Sequence, residues 1–164
     1  MSKIDSFFGQ INRSENSKGL KLPKAFLNRF IHCIARYFPM FPSTRVWLHR
    51  KRGVKIKKNV FIGAEVFIDD AEPDLVHIKE NVTIIARTAI IAHGYYPRHL
   101  QIKLKTAGNK KGVILEKGAY IGFGAIILPG VTIGENAIIG AGAIVAKSVK
   151  ANEIVIGPQA QKIK

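Results

Sequence analysis

Hydrophobic residues recur every six positions through the C-terminal half of the chain. An α-helix places like residues 3.6 positions apart and a strand places them two apart, so neither explains a strict period of six. A coil that makes a short strand and a turn every six residues does explain it. One column holds the large aliphatic residues Leu115, Ile121, Ile127, Ile133, Ile139 and Val145, and a second, two places earlier, holds Val113, Ala119, Ala125, Val131, Ala137, Ala143 and Val149.

The same rhythm occurs earlier in the chain, with two interruptions. Ile68 and Ile78 are ten residues apart, so four extra residues within 69–74 are predicted to bulge from a corner. Ile90 and Leu115 are twenty-five apart, and the residues 93–112 between them are rich in Lys, Gly and Tyr. This segment is predicted to be a loop that leaves the coil, a common place for binding or chemistry. Gly122, Gly134 and Gly140 directly follow large core residues, and we expect them to supply a permissive turn conformation.

Residues 1–53 have a different pattern and are predicted to form a polar lead followed by amphipathic helices, with the β-coils occupying 54–164. Pro23 suits a helix start and Pro39 ends the helical pattern. We expect Cys33 to pack in a core, and the apolar face to pack against the β-coils or a neighbouring subunit. The alternative is that this face, with nearby Arg and Lys residues, lies on an anionic membrane. The face comprises Phe26, Leu27, Phe30, Ile31, Ile34, Tyr37 and Phe38.

Charge and composition exclude some classes of function but do not identify one. The net charge is +15, which attracts polyanions such as nucleic acid, anionic lipid or a phosphorylated small molecule. No nucleic-acid-binding motif accompanies the charge, so nucleic acid is not favoured. No secretory or membrane-spanning apolar run is present, and a single cysteine allows no intramolecular disulfide. We expect a cytoplasmic protein, with a peripheral position at the inner membrane face as the alternative.

The segment Gly118–Lys147, which reads GAYIGFGAIILPGVTIGENAIIGAGAIVAK, resembles the signature of the hexapeptide-repeat acyltransferases. The resemblance is to the branch of maltose, galactoside and surface-polysaccharide O-acetyltransferases, and it covers about residues 54–164. It implies a mainly β fold, a left-handed parallel β-helix with a short N-terminal helical region and one protruding loop. It also implies a homotrimer, with acetyl-CoA as co-substrate in a groove between subunits and no metal.

His93, at the start of the loop, is the residue that the resemblance implies as general base. A sugar hydroxyl is a very weak acid, so its attack on a thioester needs a base, and the pKa of histidine suits neutral pH. Related enzymes often have an acid after this histidine, but Gly94 stands here. Another group, such as a backbone carbonyl, is therefore predicted to orient the imidazole. The alternative is that His93 is an exposed histidine at the edge of a loop and has no catalytic role.

The remaining histidines are weaker candidates. We expect His99 to be solvated, His77 to point outward, and His32 and His49 to pack in the helical region. A zinc site made by His77, His93 and His99 is an alternative that their spacing does not favour.

By position, the resemblance also implies the groups that contact coenzyme A. Phe123 and Ala141 match places whose main chain contacts the pantetheine arm, and Ala146 and Lys147 match a Thr-Lys pair near the nucleotide. Lys162 is a possible substitute for an arginine of the closing segment. Surface charge is the alternative for both lysines.

Taken together, the sequence predicts an acetyl-CoA-dependent O-acetyltransferase that modifies the hydroxyl of a sugar or polysaccharide precursor, free or lipid-linked. The alternatives are an N-acetyltransferase acting on an amino sugar nucleotide and a non-catalytic β-helix that serves in assembly.

Overall fold

A computed structural model describes residues 21–96, 98–105 and 108–158. Helices α1 (Lys21–Tyr37) and α2 (Pro42–Lys51) come first, and short parallel strands follow. No helix in these residues is long and apolar enough to cross a membrane. The strands are β1 (Lys55–Ile56), β2 (Phe61–Ile62), β3 (Phe67–Ile68), β4 (Val76–Ile78), β5 (Thr83–Ile84), β6 (Ala89–Ile90), β7 (His93–Tyr95), β8 (Gly108–Lys110), β9 (Val113–Leu115), β10 (Tyr120–Ile121), β11 (Ile126–Ile127), β12 (Thr132–Ile133), β13 (Ile138–Ile139), β14 (Ile144–Val145) and β15 (Ile154–Val155).

The strands build three parallel sheets that form the faces of a left-handed parallel β-helix, as predicted. Face A holds β1, β4, β9 and β12, face B holds β2, β5, β10, β13 and β15, and face C holds β3, β6, β11 and β14. Both predicted columns are buried in one continuous core, which confirms the sixfold pattern. Within a face, equivalent residues pair directly, as Ile84, Ile121 and Ile139 do on face B. Like residues therefore stack above like residues and fill the interior.

The glycines after the large core residues have a different role from the one that the sequence suggested. Gly122 and Gly134 do not have a positive φ. A Cβ atom on Gly134 would instead lie 2.4 Å from the backbone nitrogen of Ala151, and one on Gly122 would lie 2.6 Å from the carbonyl oxygen of Ile139. The close approach of successive coils, and not the turn conformation, excludes a side chain at these positions. The left-handed turn position falls on other residues, including Gly118, Gly124, Asn136, Gly142 and Asn152.

Helix α2 and Arg52, the residue that follows it, close the first end of the β-helix with three arginines. In the coils above, the carbonyls of Ile78 and Ile84 accept hydrogen bonds from Lys57 and Gly63 in the coil below. The equivalent carbonyls of the first coil have no coil beneath them, and guanidinium groups donate to them instead. Arg50 donates to Ile56, Arg45 to Ile62 and Arg52 to Ile68, one on each face.

Helix α1 lies across the first coil at face C. The Asn28 amide donates to the carbonyl of Asp70 at one corner, the Glu65 backbone N–H donates to the carbonyl of Arg36 at the other, and the rings of His32 and Phe67 are 5.0 Å apart between them. The polar side of the helix therefore packs inward, because it offers partners to the open backbone of the first coil.

The predicted apolar face of α1 does not pack against the β-helix of its own chain. Phe26, Leu27, Phe30, Tyr37 and Phe38 are all more than half exposed. Cys33 is exposed as well, so the expectation that it packs in a core was wrong. An amphipathic pattern shows that one side of a helix will be covered, but it does not identify the covering surface.

The predicted protruding loop has internal structure. Strands β7 and β8 pair in an antiparallel hairpin with His93 opposite Lys110, and helix α3 (Arg98–Leu104) lies between them in sequence. The backbone N–H of Lys111 donates to the carbonyl of Ala92 and returns the chain to the β-helix.

Replacing Gly134 with Ala should destabilise the fold by about 1–3 kcal/mol, because the added methyl group overlaps the backbone of the next coil. The midpoint of urea unfolding measures the effect. Gly142→Asn is a matched control, because Gly142 has open space around its Cα and Asn136 and Asn152 already occupy equivalent left-handed turns. Equal destabilisation by the two substitutions would contradict the close-approach explanation.

Candidate active site

A histidine–aspartate pair lies at the corner between faces C and A. Strands β3 and β6 are adjacent on face C, with Ile68 paired to Ile90. Asp69 follows β3 in one coil, and His93 begins the loop after β6 in the next. The Nδ1 atom of His93 lies 2.6 Å from Oδ2 of Asp69. The Asp69 side chain is fully buried, whereas the His93 side chain is 26% exposed and accessible to a ligand.

Three backbone N–H groups and the His93 imidazole bind the buried carboxylate of Asp69. Oδ1 of Asp69 accepts hydrogen bonds from the N–H groups of Ala71 and Glu72, and Oδ2 accepts one from Ala92 in addition to the His93 contact. Burial raises the pKa of Asp69, but the hydrogen bonds from Glu72, His93 and Ala92 outweigh it and leave the pKa below its ordinary value. Asp69 is therefore ionised at neutral pH.

The ionised carboxylate fixes the tautomer of the neutral imidazole. A carboxylate without a proton can only accept, so Nδ1 of His93 is the donor. Nε2 then carries a lone pair and can take a proton from a ligand. The group that orients His93 comes from elsewhere in the chain, as predicted, but it is the carboxylate of Asp69 and not a backbone carbonyl.

Two ion pairs join the Asp69 bulge to its surroundings. Lys110, opposite His93 in the loop hairpin, pairs with Glu72. Arg29 of α1 lies 3.4 Å from the carboxylate of Asp70. Both pairs are partly exposed, so each contributes little to stability, but they connect the loop and α1 to the segment that carries Asp69.

The four predicted coenzyme A positions within the described residues lie on two corners. Phe123 and Ala141 are exposed and stack at the corner between faces B and C, where the Gly142 N–H donates to the carbonyl of Phe123. The Arg87 guanidinium lies 5.7 Å from the centre of the Phe123 ring. Ala146 and Lys147 are exposed on the corner between faces C and A and line a groove at the last coils. Lys162 lies outside the described residues.

The remaining histidines lie apart from this pair. His99 is exposed on α3, and His77 faces outward, 3.1 Å from the amino group of Lys55. His32 and His49 are buried between the helices and the first coil, as predicted. No cluster of three or more His, Cys, Asp or Glu side chains suited to a metal ion occurs in the described ranges.

Sequence reasoning missed Asp69, although a signal was present. The four-residue excess after Ile68 marked a bulge at the corner where the loop leaves the next coil. Asp69 is the first residue of that bulge, and the register places Ile68 against Ile90. An acid one coil below the histidine was therefore a better candidate than an acid beside it in sequence.

Asp69→Asn should weaken the fold by about 1–3 kcal/mol at neutral pH, because charged hydrogen bonds are lost in a buried site. A pKa lowered in the folded state stabilises the protein above the pKa of the unfolded chain, and this contribution disappears as the pH falls through the folded-state value. The difference in unfolding free energy between wild type and variant should therefore shrink in acid. Urea unfolding from neutral pH to about pH 3 measures it, with Asp70→Asn as the neighbouring control. A difference that stays constant in acid would show that Asp69 is not ionised in the fold.

Comparison with known proteins identifies the family. A model of the bacterial transferase hexapeptide, with six repeats, matches residues 112–147. Protein CapG of Staphylococcus aureus is 39% identical over 116 residues, which cover 70% of this chain and 67% of CapG.

Two solved structures share the architecture. A maltose O-acetyltransferase from Clostridium difficile 630 superposes with a TM-score of 0.59 at 20% identity, over 85% of this chain and 84% of that enzyme. A galactoside acetyltransferase in complex with coenzyme A gives a TM-score of 0.61 at 21% identity, over 88% and 80% of the two chains. At this level of identity, the structural likeness shows the common fold. With the repeat match and the CapG similarity, it follows that the chain belongs to the hexapeptide-repeat acyltransferases.

Proposed function

We propose that this protein is an O-acetyltransferase that moves acetyl from acetyl-CoA to the hydroxyl of a sugar or polysaccharide precursor. The observation that carries the proposal is the contact between Asp69 and Nδ1 of His93, which leaves Nε2 without a hydrogen-bond partner among the described residues, beside a protruding loop. The maltose and galactoside enzymes with this fold support a sugar as acceptor and coenzyme A as the carrier of the donor.

His93 acts as general base in this proposal. Its Nε2 atom takes the proton of the acceptor hydroxyl while the oxygen attacks the thioester carbonyl. The new C–O bond forms, the C–S bond breaks, and the proton on Nε2 passes to the departing thiolate. The ionised Asp69 stabilises the imidazolium formed between these steps, because its charge lies 2.6 Å from Nδ1.

The donor is proposed to bind where two copies of the chain meet. Phe123 and Ala141 lie on one edge of face C, whereas His93, Ala146 and Lys147 lie on the other. A cleft between one copy's first edge and another's second edge brings the two groups together, and a homotrimer closes this arrangement. Lys147, with Lys162 as a further candidate, is proposed to meet the nucleotide phosphates.

A neighbouring copy is also proposed to cover the apolar face of α1. Outward-facing Ile126 and Ile144 on face C extend this apolar surface above the helix, and Ile144 is 65% exposed. The membrane alternative loses support, because Arg45 and Arg52 are buried and Arg50 donates to backbone carbonyls. Three of the basic residues that would meet lipid are thus engaged by the fold. We therefore propose a cytoplasmic protein rather than one attached to the inner membrane face.

Replacing Phe26 and Phe30 together with Ser should dissociate the oligomer, because it removes apolar area from the proposed contact. Light scattering measures the mass, which should change from three copies of the 18.1 kDa chain towards one. Phe41→Ser, which alters an exposed aromatic residue outside α1, is the control. If the double variant keeps the wild-type mass but loses binding to anionic vesicles in a flotation assay, the occupant of this face is a membrane.

His93→Ala should lower the rate of thiol release from acetyl-CoA by at least about a hundredfold with a sugar acceptor, because the hydroxyl loses its base. Calorimetry should show unchanged coenzyme A binding. His99→Ala, an exposed histidine of the same loop, is the control and should be close to wild type.

The same assay separates the alternatives. If acetyl transfer occurs only to an amino sugar nucleotide and His93→Ala has little effect, the enzyme is an N-acetyltransferase. If the wild-type protein neither binds coenzyme A nor releases thiol with any sugar, nucleotide sugar or amine tested, the β-helix serves in assembly.

A further inference from the structure

Arg52 contacts the backbone of Asp69, the residue whose carboxylate orients His93. It follows α2 in sequence, and its side chain is buried between the helices and the first coil. One nitrogen of its guanidinium group, Nη2, donates to the carbonyl oxygens of Ile68 and Asp69, at 3.1 and 2.8 Å. We propose that Arg52 is a positioning residue for acetyl transfer, which holds the backbone of Asp69 so that the carboxylate meets His93. This inference rests on the function proposed above.

Every nitrogen of the guanidinium group has a partner. Nε donates to Oδ1 of Asn28 at 3.0 Å, and Nη1 donates to Nδ1 of His49 at the same distance. Asn28 in turn donates to the carbonyl of Asp70. Asn28 of α1 and Arg52, after α2, thus hold three consecutive carbonyls through one connected set of polar groups: those of Ile68, Asp69 and Asp70.

The His49 contact keeps Arg52 in place over a wide pH range. Burial first, and then the nearby charges of Arg52, His32 and Arg45, lower the pKa of His49 to about 3. His49 is therefore neutral at physiological pH and accepts the hydrogen bond from Arg52. Burial lowers the pKa of Arg52 to about 10, and the guanidinium group remains charged near neutrality. A charged donor thus binds the backbone where the bulge begins.

Arg50 also donates to two consecutive backbone carbonyls, but at a corner of the first coil that is distant in register from the pair of Asp69 and His93. Its Nε and Nη2 atoms donate to the carbonyls of Ile56 and Lys57, which are equivalent on face A to those of Ile68 and Asp69 on face C. Both arginines donate hydrogen bonds to carbonyls of the first coil that have no neighbouring coil to bond. Only Arg52 also holds the residue that contacts His93. Comparing variants of Arg52 and Arg50 therefore separates the positioning of Asp69 from the general stabilisation of the first coil.

The test compares Arg52→Gln, Arg52→Lys and Arg50→Gln in the full-length protein. Arg52→Gln should lower kcat/KM for acetyl transfer by roughly tenfold to a hundredfold, because small misplacements of a catalytic pair are costly. The dissociation constant for coenzyme A should not change, Arg52→Lys should recover part of the activity, and Arg50→Gln should be close to wild type.

A spectroscopic measurement is independent of activity. The imidazole ¹⁵N shifts of neutral His93 should report the Nδ1–H tautomer in wild type and in Arg50→Gln, and a mixture of tautomers in Arg52→Gln. If Arg52→Gln does not fold, Asn28→Ala, which removes one of its partners, should shift the tautomers in the same direction. Unchanged tautomers in a folded Arg52 or Asn28 variant, or equal activity losses in the two Gln variants, would overturn the inference. A wild-type protein without transferase activity would instead refute the proposed function, while the tautomer comparison would still test whether Arg52 positions Asp69 against His93.

Discussion

The structure depends on the stacking of parallel coils at the spacing of a β-sheet, about 4.8 Å. Each coil bonds to the next through backbone groups on three faces, so residues six apart along the chain occupy equivalent corners and lie in one core. This constraint explains the repeated aliphatic residues, and it also explains why Gly134 and Gly122 cannot carry a side chain. Any residue inserted at a corner must leave the stack, because the strands on both sides are fixed.

The candidate site follows from that constraint. Two insertions occur at the same corner in successive coils, one after β3 and one after β6. Since the strands that precede them are paired, the insertions begin one above the other, and Asp69 meets His93 although they are 24 residues apart. The rigid stack supplies the geometry, and the inserted segments supply the polar groups.

The sixfold rhythm was enough to predict the β-helix, its core columns, the bulge and the loop, because each depends only on local spacing. The position of His93 at the base of the loop could also be read from the sequence. Asp69 was not paired with it, because the acid was sought next to the histidine in sequence, whereas the strand register places it in the adjacent coil. The orientation of α1 was missed for a related reason: Asn28, His32 and Arg36 pack inward because the first coil offers open backbone groups and a ring. Hydrophobic periodicity contains no information about such partners.

The three arginines that lie on α2 and directly after it have a consequence for self-association. The lower edge of the first coil would otherwise present carbonyls on every face, and an open strand edge is a template for further strands. Arg45, Arg50 and Arg52 occupy those acceptors with groups that have no carbonyl of their own to offer, so the pattern of alternating donors and acceptors stops there. One end of the solenoid is thereby closed to fibre-like growth.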